Sequence, residues 1–123
     1  MAEGFANNMP GGGIHAKSAG IGASPGKAIY EAVTAMKKNY NIDISGHRTT
    51  HTMNIKMEKY DYVFALDAAV FQWLRDEEII SEEKLFQWDI QDPIGMPVWV
   101  YEEIAEKIRK RLENFLVNLE MSK

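Results

Sequence analysis

Apolar residues near the end of the chain recur at helical spacing. Val100, Ile104, Ile108, Leu112, Phe115 and Leu119 fall three or four apart, with Glu, Lys and Arg between them. This stripe predicts a long amphipathic helix. Ala28, Ile29, Ala32, Val33 and Met36 repeat the spacing and predict another. Ser24 is its expected N-cap and Pro25 its first helical residue, and it should stop near Asn39-Tyr40-Asn41. Val70, Phe71 and Leu74 mark the inward face of a helix over 68–77. Elsewhere the period changes. Ile14-His15-Ala16-Lys17-Ser18 alternates apolar and polar, as a half-buried strand does. Tyr62-Val63-Phe64-Ala65-Leu66 is a continuous apolar run and predicts a buried parallel strand. Lys84-Leu85-Phe86-Gln87-Trp88 predicts another strand, and Ile42-Asp43-Ile44 a short extended piece.

Between these elements lie the breaks. Residues 1–9 read as a short helix that ends at Pro10-Gly11-Gly12-Gly13. Residues 19–26 form a Gly-rich loop, Ser45-Gly46-His47-Arg48 a second loop, and 89–97 a third with two prolines. A helical turn is expected over 53–58. Strands alternating with helices predict an α/β domain of three layers, its mostly parallel sheet flanked by helices. No repeat or linker divides the chain, so residues 1–123 are one domain.

Composition narrows the chemistry. Hydrophobic residues are 46% and charged residues 26%, with net charge -4. No basic tract stands out, which argues against nucleic acid. No apolar run approaches the roughly 18 residues of a membrane span. No secretory signal is visible, so a cytoplasmic location is expected. There is no cysteine, which excludes disulfides, Cys-based zinc sites and a thiol nucleophile within these 123 residues. No cofactor and no metal are expected. His47 and His51 stand four apart but without a neighbouring Glu, and Gly20-Ile21-Gly22 departs from a dinucleotide fingerprint at Pro25. His15 reads as a surface or half-buried histidine. Trp73, Trp88 and Trp99 read as core or groove packing.

Four pieces occur in order: Met1-Ala2-Glu3-Gly4-Phe5, Ser18-Ala19-Gly20, Ser45-Gly46-His47-Arg48, and Trp88-Asp89-Ile90-Gln91-Asp92-Pro93. Together, over essentially the whole chain, they resemble the low-molecular-weight protein tyrosine phosphatases and the related arsenate reductases. In that family a Cys-x5-Arg-Ser loop precedes a Met-Ala-Glu-like helix start and cradles phosphate with backbone N–H groups. Its thiolate attacks phosphorus, its Arg clamps the oxygens, and a later Asp protonates the leaving oxygen. The resemblance therefore implies a domain incomplete at its N-terminus, lacking the first strand and the nucleophile loop.

By the same resemblance Asp92, just before Pro93, is the general acid. Ser18 and His47 are supporting residues that brace the phosphate loop. Taken alone, Asp92-Pro93 is an ordinary turn, and Asp89 is a competing acid three residues earlier. Arg48 reads as a surface charge. Asp67 at the end of the 62–66 run, and no downstream Cys, favour the phosphatase branch over arsenate reduction. Ile94-Gly95 replaces the tyrosines that many relatives place after the acid, which departs from a phosphotyrosine slot. The partner implied for a complete form is a phosphorylated protein or a small phosphomonoester. A missing central strand would leave two ladders open. Three outcomes are then expected: residues 14–18 pair with 62–66, another chain fills the gap by self-association, or the isolated chain is poorly stable. The chain as written is expected not to turn over, and a non-catalytic binding or regulatory relative is the alternative reading.

Overall fold

The computed structural model describes residues 1–9, 13–20, 29–48 and 56–121. Its elements are helix α1 (Ala2–Asn7), helix α2 (Tyr30–Tyr40), strand β1 (Val63–Ala65), helix α3 (Ala68–Asp76), strand β2 (Leu85–Gln87) and helix α4 (Val98–Met121). Single 3-10 turns at Met57–Lys59 and Glu82–Lys84 lead into the strands. The expected cap Ser24-Pro25, the Gly-rich loop from 21 onward, His51 and most of the turn over 53–58 lie outside the described residues.

β1 and β2 pair in parallel, Val63 opposite Leu85, Phe64 opposite Phe86 and Ala65 opposite Gln87. Parallel neighbours need a crossover, and α3 supplies it. Asp67 starts that helix, its carboxylate accepting the Val70 N–H at 2.8 Å. Because side chains alternate along a strand, the sheet has two apolar faces. On one, Ala65 and Leu85 bury against Leu74, Ile80 and Met57. On the other, the Phe64 ring stacks on Trp88 at 4.4 Å and meets Phe115 of α4 edge-on at 4.9 Å. Helices thus cover both faces, giving three layers.

The larger core lies between α4, α2 and α1. Val100, Ile104, Ile108 and Leu112 are buried along α4, as their spacing predicts, with Tyr101 and Ala105 beside them. Met36 and Ala35 of α2 are fully buried against this face. α2 ends at Asn41, whose left-handed backbone (φ 54°) turns the chain away from the helix axis. Gly4 lets α1 approach the next segment closely: a Cβ there would lie 2.8 Å from Cγ2 of Ile44.

Two sequence expectations need correction. Among the described residues the sheet has two strands only, and residues 14–18 join no ladder. The period-two pattern of 14–18 is real, with Ile14, Ala16 and Ser18 half-buried and His15 and Lys17 exposed. Its backbone partners are side chains of α1 instead of a strand. The Asn7 carboxamide donates to Ala16 O at 3.2 Å and accepts from Ala16 N–H at 2.8 Å. A primary amide carries the same donor–acceptor pair as a peptide group, so Asn7 stands in for one rung of a sheet. The pairing of 14–18 with 62–66 does not form among the described residues.

Candidate active site

Glu3 follows the α1 start, where a carboxylate suits the positive end of the helix. Its Oε1 accepts the Ser18 N–H at 2.6 Å and the Ser18 hydroxyl at 3.1 Å. Its Oε2 lies 2.9 Å from His47 Nδ1, and His47 Nε2 lies 3.4 Å from Ser18 Oγ. One carboxylate therefore ties three segments, α1, 13–20 and 45–48. The Glu3 and His47 side chains are 22% and 26% exposed, so water is only partly excluded. A tight turn aims the imidazole: Ser45 N–H donates to Asp43 Oδ1 at 2.9 Å and His47 N–H to Ile44 O at 3.0 Å. The Ser45 hydrogen bonds hold the Asp43 carboxyl below its ordinary value.

Ser18 and His47, which the resemblance links, are thus neighbours. Glu3, which joins them, was not singled out as a site residue. The available signal was its place as the one acid in the first turn of α1.

Asp92 occupies a loop beyond β2. Parallel bonding continues past the strand, with Trp88 N–H to Ala65 O at 2.8 Å and Ile90 N–H to Leu66 O at 2.9 Å. Trp88 and Ile90 are buried while Asp89, Gln91 and Asp92 face out. Pro93 is buried, and Met96 N–H donates to its carbonyl at 2.9 Å. Asp92 Oδ1 accepts the Ile94 N–H at 3.1 Å, which fixes its side chain over the turn. Asp89 is exposed too, but its Oδ1 takes the Gln87 side-chain amide at 3.0 Å. Asp92 shares no hydrogen bond with Glu3, Ser18 or His47, so the acid loop and the Glu3 cluster are separate constellations.

Tyr101, one turn into α4, is buried. Burial, and then the negative fields of Glu31 and Asp92, push its phenol above the ordinary value. Arg48 is exposed, as expected. Among the described residues no group of three His, Cys, Asp or Glu side chains could hold a metal ion. Among them, too, no helix is long and apolar enough to cross a membrane.

The family model described as low molecular weight phosphotyrosine protein phosphatase matches residues 1–123. The glutaredoxin arsenate reductase of Synechocystis sp. is 28% identical over 119 residues, 97% of this chain and 87% of that protein. A probable low molecular weight protein-tyrosine-phosphatase, EpsP, of Ralstonia nicotianae is 26% identical over 82% of this chain and 74% of its own length. Among solved structures, the low molecular weight protein tyrosine phosphatase of T. tengcongensis superimposes with TM-score 0.86 at 31% identity, covering 95% of this chain and 88% of that one. An arsenate reductase in the reduced state superimposes with TM-score 0.72 at 25% identity, over 95% of this chain and 86% of its own.

Proposed function

The chain belongs to the low molecular weight phosphotyrosine protein phosphatase family, and on that premise we propose that it carries the proton-transfer loop and bracing cluster of a phosphomonoester hydrolase site. The same reading holds that the 123 residues alone do not turn over. The observation that carries it is Asp92, held by the Ile94 N–H on an exposed loop beyond the carboxyl end of β2, in a chain with no cysteine. Ligands of open α/β sheets gather at that end of the strands.

The chemistry this implies has two steps. A thiolate, which must come from outside these residues, forms a bond to phosphorus as the phosphorus–oxygen bond breaks. Protonated Asp92 gives its proton to the departing oxygen. Ionised Asp92 then takes a proton from water as the water oxygen bonds phosphorus and the sulfur–phosphorus bond breaks. The Glu3–Ser18–His47 cluster is a brace in this reading, tying segment 13–20 to the start of α1. A cytoplasmic setting and phosphorylated proteins or small phosphomonoesters as substrates belong to the same proposal.

A non-catalytic binding relative is the second reading, in which the Glu3–Ser18–His47 cluster and the acid loop serve as scaffold alone. Arsenate reduction is remoter, although arsenate reductases are among the similar proteins. It needs relay thiols, and the residue ending the β1 segment is Asp67, already used to cap α3.

The test is hydrolysis of p-nitrophenyl phosphate. The chain alone should give no turnover above background. A chimera supplying a Cys-x5-Arg-Ser strand and loop ahead of Met1 should turn over, and Asp92→Asn should lower its kcat by about 10²-fold or more. Turnover by the chain alone that is lost in Asp92→Ala would refute the proposal. So would an active chimera indifferent to Asp92.

A further inference from the structure

Five of the seven exposed large apolar side chains among the described residues lie in two short stretches. They are Ile29 and Tyr30 at the start of α2, and Ile94, Met96 and Trp99 around the start of α4. These stretches share one end of the domain. Lys38 of α2 pairs with Glu102 of α4 at 3.3 Å, and Tyr40 donates to Glu106 at 2.7 Å. Ala32 of α2 and Val100 and Tyr101 of α4 share one buried cluster, which brings the first turns of the two helices together. The phenol of Tyr101 between them feels both Glu31 and Asp92.

Among the described residues of these two stretches the charges have one sign. Residues 29–31 and 88–99 contain Glu31, Asp89 and Asp92 and no Lys or Arg. Tyr30 and Trp99 are 74% and 60% exposed. Isolated exposed apolar residues need no explanation, but apolar residues grouped beside acids form a surface with a chemistry. Aromatic faces attract cations, and the three carboxylates add a field of the same sense.

We propose that this end is a docking surface for a protein segment that sets apolar side chains beside Lys or Arg. The inference names a substrate class for the site above, and takes from that reading only that Asp92 faces the reacting group. A macromolecular substrate would use Tyr30, Trp99 and Met96 as anchors beyond the reacting phosphate. The acids would orient its cations and speed encounter.

The test is binding without catalysis. A short labelled peptide of alternating Leu, Phe and Arg is titrated by fluorescence anisotropy against the full chain. Its twin with Glu in place of Arg serves as comparison. The Arg peptide should bind, more weakly as salt rises, and the Glu twin should bind at least about tenfold more weakly. Trp99→Ala and Tyr30→Ala, both at exposed sites, should each weaken binding about tenfold with unchanged circular dichroism. Asp89→Asn should weaken it less and flatten the salt dependence. Equal binding of the twins, or no binding of either, would overturn the proposal. An equal loss in Tyr62→Ala or Val117→Ala, exposed elsewhere, would do the same. Self-association abolished by Trp99→Ala would assign the surface to a second copy and also overturn it. The peptides carry no phosphate, so this outcome is independent of whether the chimera hydrolyses phosphomonoesters.

Discussion

Neutralising Glu106 should cost stability near neutral pH and little in strong acid. Glu106 sits on α4 and binds in two directions. It accepts the Tyr40 hydroxyl of α2 at 2.7 Å, and the Arg109 guanidinium engages both its oxygens, Nε at 3.0 and 3.2 Å. Arg109 hydrogen bonding first, and then that of Tyr40, holds the carboxyl down from 4.5 to about 2. At about 1.4 kcal/mol per unit this drop would correspond to roughly 3 kcal/mol as a ceiling. The Glu106 side chain is 38% exposed, so solvent screening cuts the figure to about 1 kcal/mol. A depressed carboxyl contributes its full stability above the unfolded value near 4.5, and loses it as pH falls through about 2. Glu106→Gln should therefore unfold about 1 kcal/mol more easily than the parent in urea at pH 7, and the gap should close between pH 4.5 and 2. On the alkaline side the Tyr40 phenol is pushed up to about 12, by burial first and the Glu106 hydrogen bond second. Its contribution is complete below 10 and is lost as pH rises through 12. A gap that stays constant from pH 7 to 2, or no gap at pH 7, would refute the reasoning.

Other consequences can be read by the same melts and by hydrogen exchange. Met36→Ala, at a fully buried site, should destabilise by about 2–5 kcal/mol, and a loss under about 1 kcal/mol would show that α2 is not docked as described. Gly4→Ala should destabilise by about 1–3 kcal/mol despite its better helix propensity, because its methyl meets Ile44; Ile44→Ala in the same chain should recover part of the loss. Glu3→Gln should speed exchange of the Ser18 amide, which donates to that carboxylate, at a cost of about 1–2 kcal/mol, and unchanged exchange would remove Glu3 from the brace.

The helices and strands were legible where burial alone decides them. The stripe from Val100 to Leu112 is buried on one face of α4, and the apolar run at 62–66 became β1. Periodicity reports which side chains face inward; it is silent on what receives the backbone groups. For that reason 14–18 was readable as a two-sided segment but not as one held by Asn7 and Glu3. Ser18 and His47 were visible only through resemblance, since nothing local in either stretch points to the other. Glu3 stands in the Met1–Phe5 piece, but one acid at a helix start is ordinary until its partners are in place. The apolar residues flanking Asp92 were readable singly, and their grouping depends on how the first turn of α2 packs against that of α4. Trp99, expected as packing, is exposed instead.

Asn7 holds its neighbour as a clip would, by one amide at an exposed position. Two neutral hydrogen bonds of about 1 kcal/mol each are a weak fastening beside a full ladder. The amide of Ala16 should therefore exchange before those of the α2–α4 core, while Glu3 still holds Ser18 two residues on. Asn7→Asp, which keeps the shape but gives up the donor, would leave that clip half closed.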